Sequence, residues 1–197
     1  MIRCLLRLST DTGKAPKHLG RRRPTIDSIY QANAPSYLSQ LSNGQNEFFS
    51  TYRYIERLKG KISWIYVLDT GFDEARVDSD DIEGLYVEQH NANDADDTDD
   101  LLGRGTDIAL LAVGRKTGVA RNSSLVTVKL TEGNDAKVNR SIVKGIFYAM
   151  NDIVEWRQER RSVIHLSIGK CVYLSLTLSI LKNLTLYPLY SRRGKFS

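Results

Sequence analysis

Lys61-Ile62-Ser63-Trp64-Ile65-Tyr66-Val67-Leu68-Asp69-Thr70-Gly71-Phe72-Asp73 is the stretch on which the fold turns. Ile62 and the run Trp64 to Leu68 are almost continuously apolar and rich in β-branched and aromatic residues, the pattern of a strand buried on both faces of a parallel sheet. The run stops at Asp69-Thr70-Gly71. A carboxylate at the carboxyl end of such a strand lies on the edge where open α/β sheets place ligands and chemistry, and Gly71 lets the chain turn sharply. Taken alone, Asp69 has two readings. It is a functional carboxylate, or it is an Asp that caps its own turn through backbone N–H groups, which is the commoner use.

Downstream, Ile82 to Val87 reads as an edge strand. It is followed by the acidic run Asp94 to Asp100, whose like charges in series suit a solvated loop better than a cation site. No EF-hand spacing is present. Leu102 to Gly114 reads as a nearly all-apolar buried helix entered through Gly103-Arg104-Gly105. A dinucleotide fingerprint would require Gly or Ala at Ile108 and a strand directly before, and neither is there. Ser124 to Leu130 predicts a strand, Asn139 to Trp156 a long helix with a wide apolar face, and Ser162 to Ser167 another strand. This alternation predicts an α/β fold: a three-layer parallel sheet with helices on both faces.

The 197 residues divide by composition. Residues 1–24 read as a disordered basic arm, with Arg3, Arg7, Lys14, Lys17, Arg21, Arg22 and Arg23 against Asp11 alone. Residues 25–60 read as a helical lead-in, from the spacing of Ile26, Ile29, Tyr30 and Ala34 and then of Phe48, Phe49, Tyr52, Ile55 and Leu58. Residues 61–169 hold the βαβ pattern, and residues 170–197 form an atypical apolar and basic tail. In that tail Val172, Leu174, Leu176, Leu178 and Ile180 alternate with polar residues, and Lys182-Asn183 interrupts the run short of a membrane span. The tail is the segment expected to cover part of the sheet edge left by the 162–168 strand.

The formal charge of +5 belongs to the ends of the chain, because residues 69–100 carry thirteen acids against Arg76. That distribution argues against a nucleic-acid surface on the folded part. Cys4 and Cys171 make neither a disulfide framework nor a metal site, and nothing in the sequence asks for a cofactor. Arg3 and Arg7 break the opening apolar run, so it is not read as a secretory signal, although its composition is shared with organellar transit peptides. The sequons at Asn122, Asn139 and Asn183 matter only in a secreted chain.

Together these segments resemble the amino-terminal half of the catalytic domain of subtilisin-like serine peptidases. Val67-Leu68-Asp69-Thr70-Gly71-Phe72-Asp73 is similar to the family's Asp motif, and Gly103-Arg104-Gly105-Thr106-Asp107-Ile108-Ala109, 35 positions on, is similar to its G-H-G-T-H-V-A motif. Gly118-Val119-Ala120 with Ser124 to Lys129 resembles its G-V-A and V-x-V-K segments. Val163 to Gly169 resembles its S-x-G strand. The resemblance implies that Asp69 is the triad Asp, that Arg104 occupies the triad His position, that Ser167, Ile168 and Gly169 line a substrate cleft, and that the partner is a peptide or protein.

The departures bear on chemistry. A triad needs a base that takes a proton from a hydroxyl and returns it to the leaving amine. A guanidinium stays protonated and has no acceptor lone pair, so Arg104 cannot be that base, although it can pair with Asp69. The family's G-T-S-M-A serine has no match in the 28 residues after Gly169. His18 lies in the basic arm, His165 inside a strand, and His90 is a remote candidate for a replacement base. Three expectations follow: a truncated and catalytically deficient peptidase domain, an active endopeptidase with an unrecognised base or a missing remainder, and a non-catalytic peptide-binding module using strand addition. The loss of family pattern after Gly169 is read as a misplaced coding boundary.

Overall fold

The computed structural model describes residues 4–6, 28–43, 50–93, 95–133 and 136–167. Among these the elements run β1 (Cys4–Leu6), β2 (Ser28–Gln31), α1 (Ser36–Asn43), β3 (Tyr52–Ile55), β4 (Trp64–Asp69), α2 (Ser79–Ile82), β5 (Val87–Asn91), α3 (Arg104–Val113), β6 (Ser124–Lys129), α4 (Ala136–Glu155) and β7 (Ser162–Leu166). The main sheet has the order β1-β7-β4-β6-β5. Strands β7, β4, β6 and β5 are parallel, and β1 is antiparallel to β7. The α/β class and the parallel sheet expected from the sequence are therefore present, with β4 at its centre.

Period-2 alternation sorts the strand side chains into two cores. Tyr66 and Leu68 of β4, Val126 and Val128 of β6, and Ile164 and Leu166 of β7 pack against Ile142, Ile146, Ala149, Met150 and Ile153 of α4. Val67 and Leu125 point the other way, onto Phe72, Ala109 and Val113 of the α3 side. Helices thus cover both faces, and each β4 residue is committed to one of them. That is why the 64–68 run reads as continuously apolar. Gly145, on the sheet-facing side of α4, lies so close to Leu130 that a Cβ would stand 2.8 Å from its Cδ2.

Several expectations are corrected. Strand β4 begins at Trp64, not Ile62. Ile62 is 66% exposed with φ of +66°, in the turn that enters the strand. The 25–60 segment is not helical throughout, because β2 and β3 pair antiparallel and only Ser36–Asn43 is helix. The spacing of Tyr52, Ile55 and Leu58 imitates a helix, but Tyr52 and Tyr54 stack at 5.4 Å in β3 and pack with Ala34 and Leu38. The edge strand lies at Val87–Asn91, not 82–87; Ser79–Ile82 forms α2, capped by the Asp78 side chain. In the arm read as disordered, Cys4–Leu6 pairs with Ile164–Leu166 and so occupies the β7 edge assigned to residues 172–180. Those tail residues lie outside the described residues.

Candidate functional site

The register fixes where Asp69 stands. Asp69 is opposite Lys129 of β6, which is opposite Asn91 of β5, so it closes the carboxyl edge of the sheet. The chain then turns through Gly71, whose φ is +122° and where a Cβ would stand 2.5 Å from the Thr98 carbonyl oxygen. A Cβ on Gly105 would collide with the Gly71 carbonyl oxygen. These two glycines bring the first turn of α3 directly onto the Asp69 turn.

Asp100 joins the two. Its carboxylate accepts from Thr70 Oγ1 at 2.6 Å, Gly103 N at 2.9 Å, and Thr106 N and Oγ1 both at 2.8 Å. Thr70 Oγ1 in turn accepts from Gly105 N at 3.0 Å, and Thr106 Oγ1 accepts from Asp73 N at 3.0 Å. Burial pushes the Asp100 carboxyl up, but these donors outweigh it and hold it below the usual carboxylate range. Asp100 is 1% exposed, so the acidic run does not end as a solvated loop. Its last residue satisfies the orphan amides at the start of α3. Lys129 anchors the rest, donating to Asp97 Oδ2 at 2.8 Å and to the Asp99 carbonyl at 2.7 Å. Sequence reasoning missed Asp100 and Thr70 as structural partners. The available signal was an Asp at Asp100-x-x-Gly103, ahead of a helix start.

Asp69 Oδ1 accepts from Thr70 N at 2.8 Å and from Arg104 Nε at 2.7 Å. The turn-capping reading of Asp69 is thus present in its bond from Thr70 N, and the expected pairing of Arg104 with Asp69, 35 positions apart, is present as well. The Asp69 side chain is fully buried, whereas that of Arg104 is 53% exposed. Asp69 Oδ2 has no hydrogen-bond partner among the described residues, an omission that costs about 1–3 kcal/mol for a buried acceptor. Arg104 sits at the first position of α3, and Nε makes its one hydrogen bond among the described residues. The pair neutralises the carboxylate and provides no proton acceptor besides it.

Ser167 follows β7 directly. Leu166 is opposite Leu68, so Ser167 emerges half-buried at the level of Asp69 one strand away. Ile168 and Gly169 lie outside the described residues. His90 does not approach Asp69. Glu88 and His90 are in register with Val126 and Val128, on the α4 face, where the His90 ring lies 4.2 Å from that of Tyr148 and Nε2 is 2.6 Å from Glu88 Oε1. His90 is therefore withdrawn as a replacement base, because the sheet separates it from Asp69. His165 is opposite Val67, inside β7. Among the described residues no group of three or more His, Cys, Asp or Glu is placed to hold a metal ion, and no helix is long and apolar enough to cross a membrane.

No protein-family model matches the chain. Curated relatives do. The chain is 32% identical over 143 residues to the subtilisin-like serine protease Pen ch 13 of Penicillium rubens, covering 72% of this chain and 34% of the relative. It is 31% identical over 150 residues to subtilisin-like protease 7 of Trichophyton equinum, covering 75% and 36%. It is 28% identical over 139 residues to alkaline protease 1 of Aspergillus flavus, covering 71% and 33%. The chain thus spans about a third of the length of the relatives it matches.

Proposed function

From a chain homologous to the subtilisin-like serine proteases over about 72% of its length, we propose that this protein is a peptidase-derived domain that performs no hydrolysis as it stands. The reading assigns residues 61–169 to the peptidase-like portion, with Asp69 in the role of triad Asp and Arg104 in the place of the triad base. The observation that carries it is the 2.7 Å bond from Arg104 Nε to Asp69 Oδ1. That bond engages the carboxylate that would orient an imidazole, and it does so with a group that cannot accept a proton. The 197 residues also hold no G-T-S-M-A segment to supply a nucleophile.

A fluorophosphonate probe tests this, because labelling needs a serine oxygen activated by a neighbouring base and donors for the oxyanion. Wild type and Arg104→His are both expected to label no more than a heat-denatured control. The histidine variant restores an imidazole beside Asp69 but gives it no hydroxyl to deprotonate. Specific labelling of the wild type would overturn the reading in favour of an active endopeptidase.

A second reading, a module that binds peptides without cleaving them, is favoured by the exposed start of α3. There the Arg104 guanidinium is open to solvent beside Leu101 and Leu102, which are 75% and 62% exposed.

A further inference from the structure

Strand β5 ends the main sheet, and one of its sides is open. Leu125 N donates to the Tyr86 carbonyl and Ala92 N to the Lys129 carbonyl, so the even-numbered residues of β5 turn their main-chain groups toward β6. Main-chain groups alternate along a strand, so those of Val87, Gln89 and Asn91 point outward. They have no main-chain partner among the described residues. Val87-Glu88-Gln89-His90-Asn91 carries neither the Pro nor the Lys that commonly blocks such an edge. At its middle, Gln89 Nε2 donates to Glu74 Oε1 at 3.0 Å, whereas Gln89 Oε1 is buried with no hydrogen-bond partner among the described residues. On the opposite face, beside α4, the Glu88 and His90 side chains pair with each other and are 32% and 33% exposed.

We propose that this edge is a dimer interface, in which β5 pairs antiparallel with β5 of a second copy of the chain around a two-fold axis at Gln89, perpendicular to the sheet. The strand is its own complement in that register. Gln89 lies opposite the partner's Gln89 and Val87 opposite the partner's Asn91, so outward residues meet outward residues and exchange both N–H···O bonds. Glu88 then lies directly opposite the partner's His90 on the α4 face, as a non-hydrogen-bonded pair, the kind that brings side chains closest. Moving the axis to Glu88 or to His90 sets like against like and leaves Asn91 or Val87 without a β5 partner. Each Gln89 Nε2 has a second hydrogen beyond the one given to Glu74, and the orphan Oε1 of the partner's Gln89 can accept it. The interface is independent of the chemistry assigned to Asp69 and Arg104.

Sedimentation equilibrium and residue-resolved hydrogen exchange on the full chain test this. A short edge makes a small interface, so a dissociation constant on the order of 10 µM is expected. Raising the protein from about 1 µM to about 200 µM should give a dimer and slow exchange at the amides of Val87, Gln89 and Asn91. The amides of Glu88 and His90, already turned to β6, should stay unchanged. Gln89→Pro removes an outward N–H without touching the ladder to β6, and it should weaken dimerisation at least about tenfold. His90→Glu sets carboxylates opposite one another and should do the same, and adding Glu88→His should restore the dimer to within about threefold of wild type. A wild-type chain that stays monomeric at the highest concentration overturns the proposal. So does a dimer without slowed exchange at Val87, Gln89 and Asn91, because its contact lies on another surface. An unchanged dimer in either single variant, or no recovery in the double one, overturns it as well. Should the variants fail to fold, the wild-type exchange pattern decides alone.

Discussion

Arg104 Nε donates to Asp69 Oδ1 at 2.7 Å across 35 residues of sequence, joining the first turn of α3 to the end of the central strand. One partner is fully buried and the other half in solvent, so the pair's own Coulomb energy is modest, about 1 kcal/mol or less. Removing the arginine is a different matter, because it leaves a buried carboxylate short of a donor. Arg104→Ala is expected to lower stability by about 2 kcal/mol in urea denaturation. Asp69→Asn in the Arg104→Ala background should recover part of that loss, since a neutral amide tolerates the missing partner. If the two substitutions add within about 0.3 kcal/mol, the residues are uncoupled and the pair is incidental.

Asp100 makes stability depend on acid. Its carboxyl titrates below the ordinary Asp value in the folded chain, so its contribution is complete above about pH 4, the unfolded value. That contribution is lost as pH falls through the folded value. Urea midpoints measured by circular dichroism from pH 7 down to pH 2 should fall more steeply below about pH 4 for wild type than for Asp100→Asn. Parallel curves would show that Asp100 is not a titrating anchor.

Gly105→Ala should be costly despite lying in a helix, where alanine is ordinarily preferred. The new methyl collides with the Gly71 carbonyl oxygen, which is backbone and cannot swing aside as the end of a side chain would. A loss of about 1–3 kcal/mol is expected, read as a lower thermal midpoint. A neutral or stabilising effect would mean that α3 does not rest on the Asp69 turn.

The central strands and the two long helices were legible because both faces of the sheet are covered: β4 reads as a short, nearly continuous apolar run, α3 as a nearly all-apolar helix and α4 as a long helix with a wide apolar face. Strand β3 was not, because Tyr52, Ile55 and Leu58 repeat at a helical interval while Tyr52-Arg53-Tyr54 pairs with Ile29 to Gln31. Misplacing β5 by five residues hid the fact that Glu88 and His90 share a face with Val126 and Val128. Asp100 was lost inside a charge run. A block of acids reads as repulsion, and only the donors from Thr70 and the α3 amides, distant in sequence or set by the turn, single out its last member.

Arg121 gave no sequence signal at all, yet it is 7% exposed and joins the β2–β3 sheet to the main body. Its Nε donates to the Gly118 carbonyl at 2.9 Å, and an Nη donates to Gln31 Oε1. The guanidinium lies 5.4 Å from the Tyr52 ring centre and 4.9 Å from that of Tyr54. Around it, Gln31 Nε2 donates to the Lys116 carbonyl at 3.0 Å and Tyr37 Oη to the Thr117 carbonyl at 2.8 Å. These last two bonds belong to side chains other than Arg121, so they persist when it is replaced and set a floor to the damage. Arg121→Ala removes a hydrogen bond to a buried carbonyl and two cation–ring contacts, a loss of about 2 kcal/mol. Arg121→Lys keeps the charge over the rings but not the fork that spans Gly118 and Gln31, so it should recover less than half. The discriminating measurement is hydrogen exchange resolved by segment. Opening of residues 28–55 should accelerate in Arg121→Ala while β4, β6 and β7 keep wild-type protection. If protection falls equally in every strand, Arg121 supports the whole core and is not the pin of the lead-in sheet.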